Sequence, residues 1–296
     1  MGTYGKIFKL IRESKNMSLK EVAGDFVTPA QLSRFENGKS NLSVDTFFNC
    51  LRRMNVVEGE FSTLYQSYFQ IDNLFSSERF VRAVYSHNTQ YMDDRILYHQ
   101  AEYDRDGRPF DRVMVAAFHI FKQQWCDPDY DVSEDEKAIL SDYLMSIDDW
   151  GKFELWIFGN CSRGLPSKML EVLGMEVLNR TKFYMDITEN RDNVYKVLIN
   201  ISSSLLDRGE EIAAIRFLKI LDSVNIMEKN MRDRLLLKLL KARLSYMNGN
   251  DGGLEIMKEC LHIAKFLDCY DLIHQINKEI EKVTEVLLQS FKSTIK

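Results

Sequence analysis

Helix breakers are scarce in this chain: 296 residues hold four prolines and fourteen glycines, and long stretches contain neither. Many short strands joined by turns would need such residues at frequent intervals, whereas helices do not, so the expected fold is all-α. The length is enough for one large domain or two ordinary ones, and burying a sizeable core presents no difficulty. The apolar share, 45%, is that of a globular protein.

The five cysteines, Cys50, Cys126, Cys161, Cys260 and Cys269, include no C-x-x-C pair and lie inside apolar helical patterns. A reduced, cytoplasmic protein is therefore expected. The opening residues "MGTYGKIFKL" lack the apolar segment of a signal peptide, and no apolar run approaches a membrane span. The net charge of −5 conceals an asymmetry. Residues 1–57 carry nine Lys and Arg against five acids, while the rest of the chain carries 30 against 39. A small basic head on a large acidic body points to a polyanion as the partner of the head.

In the head, Ile7, Leu10 and Ile11 recur at helical spacing, and a second short helix, "SLKEVAG", turns Leu19, Val22 and Ala23 inward and closes at Gly24. The stretch "FVTPAQLSRFENGKSNLS", Phe26 to Ser43, marks both ends of a third. Thr28 is its N-cap, Pro29 its first residue and Gln31 the far member of a Thr-x-x-Gln capping box; Val27 and Leu32 stand at the positions of a hydrophobic staple. Asn37-Gly38 ends it, and Ser43 caps the next helix, with Leu42 and Phe47 as its staple. A helix this short depends on packing. Leu32 and Phe35 anchor it, leaving Ala30, Ser33, Arg34 and Asn37 on a polar outer face. Two short helices joined by a four-residue turn in a basic segment make a helix-turn-helix, over residues 1–65.

"MSLKEVAGDFVTPAQLSRFENGKSNLS" resembles the phage-repressor-like helix-turn-helix family, most specifically in "SRFENGKS". Two departures stand out: Leu19 replaces a phosphate-contacting glutamine of many relatives, and the turn Gly24 to Val27 is about one residue shorter than in the phage repressors. The resemblance implies a buried ion pair between Arg12 and Glu36, the alternative being two surface charges. For contact with a double-stranded DNA operator, Arg34 is the leading candidate, since its guanidinium can read guanine in the major groove. Ser33 and Ala30 lie beside it, and Thr28 and Asn37 at the two ends of the helix are DNA-contact candidates as well. Gln31 either reads a base or turns back to Thr28. Ser18, Lys20, Lys39 and the helix N-termini are expected to grip phosphates.

From Phe69 onward the chain reads as paired helices: Phe110–Gln124 with Glu134–Ile147, Trp150–Ser162 with Ser167–Tyr184, Val194–Asp207 with Glu210–Val224, and Arg232–Met247 with Gly253–Leu267. Corresponding helices recur at about 40 residues, the period of an α-solenoid of tetratricopeptide-like hairpins. This second domain spans residues 66–296. The segments Glu102–Pro109 and Asp127–Glu136 read as its clearest loops. The acids of the second suggest a metal, but Ser133 and Glu136 also make a capping box, so no metal or other cofactor is expected. The last helix, Asp271–Lys292, sets Leu272, Ile276, Ile280, Val283, Leu287 and Phe291 in one stripe that would cap the solenoid or pair with its counterpart in a homodimer.

"WGKFELWIFGN" and "INISSSLLDRGE" resemble the Rgg/GadR/MutR family of cytoplasmic transcription regulators. That resemblance implies a homodimer whose helical body receives a short signalling peptide on its concave face. Asn160 and Asn200 lie one repeat apart, and an amide there could hold the backbone of an extended peptide. Trp156, Tyr184, Tyr195 and Arg163 are candidates for the same groove, Arg163 for a carboxylate. The opposing assignment for the aromatics is core.

Two other functions compete. Cys260, His262, Cys269 and His274 invite a zinc or thiol-catalysis reading, but their spacing matches no closed zinc site and buried thiols account for them. No P-loop, nucleophile elbow or H-E-x-x-H is present, so no enzyme is expected. The other rival is a helical-repeat adaptor holding a protein partner or a small molecule, with DNA binding secondary.

Overall fold

The computed structural model describes residues 3–69, 78–224 and 226–294, with the side chains of the last helix as far as Thr284, and its regular elements are helices throughout. The chain divides into two compact units, Met1–Glu78 and Arg79–Lys296.

The head contains α1 (Thr3–Ser14), α2 (Leu19–Ala23), α3 (Pro29–Glu36), α4 (Val44–Arg53) and α5 (Glu58–Tyr68). Its core comprises Ile7, Phe8, Ile11, Val22, Ala23, Leu32, Phe35, Cys50, Leu51, Met54, Val56 and Phe61. Leu10, expected inward, is 44% exposed, and Phe8 fills the interior in its place. A β-carbon at Gly5 would stand 2.0 Å from the Phe35 carbonyl oxygen, so only glycine lets α1 lie this close to the end of α3. Gly24 and Gly38, at φ of 49° and 69°, supply the left-handed residues that stop α2 and α3.

The body comprises α6 (Glu78–Tyr85), α7 (Thr89–Asp106), α8 (Pro109–Trp125), α9 (Glu134–Ser146), α10 (Lys152–Cys161), α11 (Ser167–Arg180), α12 (Thr188–Asp207), α13 (Glu211–Ser223), α14 (Met231–Met247), α15 (Gly252–Phe266) and α16 (Tyr270–Thr294). Helices α8, α10, α12, α14 and α16 pack each on the next as an inner layer, while α9, α13 and α15 fold back as the outer arms of hairpins. The repeat closes tightly at Gly253, whose β-carbon would stand 2.4 Å from the Ala242 carbonyl oxygen.

Three expectations need correction. Glu102–Asp106 is the last part of α7, not a loop; bonds from Gln100 to Asp104 and from Arg105 to Glu102 stabilise the turn, and Gly107 at φ 64° ends it. The helix begun at Ser167 stops at Arg180, and Lys182–Tyr184 forms a separate 3-10 turn. Cys269 is exposed at the corner between α15 and α16, unlike Cys50, Cys161 and Cys260, which are buried, and Cys126, which is half-buried. In the stripe of α16, Leu272, Ile276 and Val283 are buried within the protomer and Ile280 is half-buried; Leu287 and Phe291 lie outside the described side chains. In the acidic loop, Ser133 and Glu136 form the capping box in both directions, and Glu136 also pairs with His119.

Candidate functional sites: a polar helix face and an inner groove

The caps of α3 fix how its surface is presented. The Gln31 backbone N–H donates to Thr28 Oγ1 at 3.2 Å, and the Thr28 N–H and hydroxyl donate to Gln31 Oε1 at 3.3 and 3.1 Å. Gln31 is thus turned back to the cap through its oxygen. Asn37 is engaged as well, its amide donating to the Ser33 carbonyl at 2.7 Å. Arg34 and Ala30 are exposed and Ser33 is half-buried. Among the described residues Arg34 has no ion-pair partner. Ser18 is committed to a capping box with Glu21, whose carboxyl is held below its ordinary range by the hydroxyl and N–H it accepts, while Lys20 and Lys39 are exposed. Structural and free groups therefore alternate: Ser18, Thr28, Gln31 and Asn37 shape the helices, and Lys20, Ala30, Arg34 and Lys39 stand open.

Beneath this face Arg12 and Glu36 are 8% and 5% exposed. The guanidinium donates through Nε to Oε1 at 2.6 Å and through Nη2 to Oε2 at 2.8 Å, and its Nη1 reaches the Met17 carbonyl at 2.8 Å. One planar group thereby ties α1, the entry to α2 and the end of α3. Arg53, which sequence reasoning overlooked, donates to the Glu21 carbonyl at 2.7 Å and ties α4 to α2.

In the body, α6, α8, α10, α12, α14 and α16 line a groove of about 450 Å³. Asn160, Arg163 and Asn200 all belong to it. The Asn160 amide donates to its own helix at the Trp156 carbonyl, 2.8 Å away, and its backbone carbonyl accepts from Gln124 at 3.0 Å. Asn200 donates to the Gly159 carbonyl at 3.1 Å, across from α12 to α10. Each side chain is thus held through its nitrogen and keeps an amide oxygen without a protein donor among the described residues. The Arg163 guanidinium lies 3.7 Å from Asp207, a loose pairing. Asp207 is held more closely by Arg243 at 2.7 Å and Lys282 at 2.9 Å. Burial by itself raises the Asp207 carboxyl, but the bond from Lys282 and the two positive charges outweigh it and leave the group below its ordinary value.

The three aromatic candidates do not line this groove. Tyr195 is 2% exposed; five residues before Asn200 on the same helix, it points about 140° away and into the core. Tyr184 sits in the turn after α11, beside Gly151. Trp156 stands behind the wall, its ring 5.5 Å from those of Phe80 and Phe121. Sequence reasoning missed Gln124, His274, Gln275 and Lys278, which supply further polar groups to the groove. The signal was the flank of α16 that runs beside its apolar stripe, with polar residues recurring at three and four from Asp271.

The family model for the C-terminal domain of the HTH-type transcriptional regulator Rgg matches residues 95–278, and a helix-turn-helix model matches residues 8–61. Among solved structures, the SHP pheromone receptor Rgg2 of Streptococcus dysgalactiae is similar at 21% identity, covering 94% of this chain and 99% of that one with a TM-score of 0.75. A putative transcriptional regulator from Listeria monocytogenes EGD-e is similar at 20% identity, covering 96% and 98% with a TM-score of 0.76. The PrgX/iCF10 complex is similar at 14%, covering 96% of each chain with a TM-score of 0.68. At these identities the structures speak to the fold, a helix-turn-helix head with a helical-repeat body. No helix of the described residues is long and apolar enough to cross a membrane. Since the first family model spans more than half of the sequence, the chain belongs to the Rgg family of helix-turn-helix transcriptional regulators and is a regulator rather than an enzyme.

Proposed function

We propose that this regulator works in the cytoplasm as a homodimer, reads a double-stranded DNA operator through its head, residues 1–65, and is controlled through residues 66–296 by a short signalling peptide lying in the inner groove. The carrying observation is the pair of asparagines on neighbouring inner helices, Asn160 and Asn200. Each is clamped by its nitrogen with its oxygen available, an arrangement suited to the N–H groups of an extended backbone. Arg163 adds a cation for a peptide carboxylate. Rgg2 is described as a pheromone receptor, and PrgX is seen in complex with iCF10, which favours a peptide over a small molecule or a protein partner here. In the head, Arg34 and Ala30 face the bases while Lys20 and Lys39 meet phosphates.

The test uses synthetic peptides matching short reading frames beside the gene, measured by fluorescence polarisation. One of them should bind, and Asn200→Ala should weaken it about tenfold, the equivalent of about 1.4 kcal/mol. Binding that is indifferent to Asn200, or no binding by any such peptide, would count against the groove.

A further inference from the structure

The charged groups that border the inner groove do not all cancel. Beside one end of it Asp207, Glu279, Arg243 and Lys282 form a closed cluster. Arg243 stands 2.7 Å from Asp207 and 2.6 Å from Glu279, and Lys282 stands 2.9 Å and 2.7 Å from the same two acids. Two acids and two bases are thereby matched, and the cations that flank them, Arg163 and Lys278, are left in surplus. Arg163 is exposed and reaches Asp207 only at 3.7 Å, so its release leaves that carboxylate with both of its closer partners. Lys278 is exposed, stands one turn of α16 before Lys282, and has no ion-pair partner among the described residues. The acid of the groove outside the cluster, Asp271, lies two turns earlier, where the N-terminus of α16 offsets its charge.

The walls of the groove differ as well. Phe80 fastens α6 to α8 and α10, its ring 5.3 Å from that of Phe121 and 5.5 Å from that of Trp156, whereas α16 packs on α14. The floor made by α10 and α12 lies between them. From α6, Val81 and Tyr85 line the groove, 51% and 53% exposed, while α16 contributes His274, Gln275 and Lys278. Successive side chains of an extended peptide point to opposite sides. A strand held at Asn160 and Asn200 therefore sets one side chain toward the apolar wall and its neighbour toward the cationic edge. A basic side chain at the second place would meet like charge, since the uncommitted acid of the groove lies two turns away; an acidic one would be matched twice.

We propose that the groove selects an anionic peptide, with a ligand carboxylate seated between Arg163 and Lys278 and a bulky apolar neighbour against Val81 and Tyr85. The proposal rests on the peptide reading of the groove above. The carboxylate belongs to the peptide's C-terminus or to an Asp or Glu side chain, and the test separates the two. Short random peptides with free termini would be screened against the full chain by affinity-selection mass spectrometry, and the strongest binder measured by calorimetry. Retained peptides should be rich in an acid beside a bulky apolar residue and poor in Lys and Arg. Arg163→Gln and Lys278→Gln should each weaken the strongest binder about tenfold, with the thermal midpoint unchanged because both side chains are exposed. Lys278→Glu should release that peptide and retain basic peptides from the same pool, which a purely structural role for Lys278 would not produce. Loss of binding when the peptide's terminus is amidated assigns the carboxylate to the C-terminus, and loss when its acidic side chain is replaced by the amide assigns it to that side chain. Peptides that are weakened by Asn200→Ala but indifferent to Arg163→Gln or to Lys278→Gln would overturn the cation pair and leave the groove standing. Binding indifferent to Asn200→Ala as well, or no peptide retained, would overturn both readings.

Discussion

In the head, polar side chains mostly reach three residues along the chain; in the body a recurring set also reaches about forty. Ser18 bonds Glu21, Thr28 bonds Gln31 and Ser43 bonds Thr46. By contrast, Asn200 bonds Gly159, Arg208 bonds Arg163 and Arg243 bonds both Asp207 and Glu279. The exceptions in the head are Arg53, which reaches the Glu21 carbonyl, and Arg12 with Glu36, a buried pair on which three elements converge. The body instead distributes the task, because each repeat can hold only its neighbours and needs a tie at each junction. The contrast separates a small unit with one buried ion pair at its centre from a long one with overlapping links.

Removing one carboxylate from each unit should show that difference. Glu36→Ala leaves the Arg12 guanidinium buried without its counter-charge, and should cost the head about 3–5 kcal/mol. Hydrogen exchange resolves the loss by unit, since it reads head and body amides separately. Glu279→Ala in the body should cost less. Arg243 keeps Asp207 at 2.7 Å, and Lys282 keeps Asp207 at 2.9 Å. Equal losses in the two variants would mean that the body has no such redundancy.

Arg34→Ala comes next in size and sharpens the functional half of the comparison. The side chain is exposed and supports nothing in the head, so exchange and thermal midpoint should be unchanged. Affinity for an operator selected from random duplexes should fall by about 1–3 kcal/mol, with specificity relaxed at one base position. Loss of stability instead would place Arg34 among the structural groups with Thr28 and Asn37.

How much could be read in advance follows the same division. The caps of α3 and α4 and the stops of α2 and α3 were legible because a cap needs only residues three apart and a left-handed stop needs only a glycine. The body's hairpins were legible from helical spacing and the period of about forty. The groove was legible only in part. Asn160 and Asn200 were found by their recurrence and Arg163 by its charge, but Tyr195 was misplaced because choosing the face of a helix buried nearly all round needs its neighbours. The last helix announced its apolar stripe, and its polar flank, with His274 and Lys278, gained meaning only when α14 and α12 were seen beside it. The exposure of Ile256, Ile263 and Phe266 on α15 was hidden for the converse reason: apolar residues at helical spacing read as core until the structure leaves them uncovered.

The smallest effect concerns a buried group of the body for which the head has no counterpart. His99 is buried, with Nδ1 2.8 Å from Asp111 and Nε2 3.1 Å from Arg95; the second oxygen of Asp111 lies 2.8 Å from Arg108. These contacts suit the neutral ring, which donates from Nδ1 and accepts at Nε2. Burial lowers its proton affinity, and Arg95 and Arg108 lower it further, against the opposing pull of Asp111. In the unfolded chain the imidazole takes up a proton near its ordinary value of about 6.5, while in the folded chain it does so only at lower pH. The unfolded state then binds more protons, so this contribution is fully present above that value and is lost as pH falls toward the folded value, by at most about 1.4 kcal/mol per pH unit. His99→Gln, which offers a donor and an acceptor but takes up no proton, should flatten the fall of the thermal midpoint between about pH 7 and pH 5.5. An equally steep fall in the variant would show that this pH dependence arises from other groups.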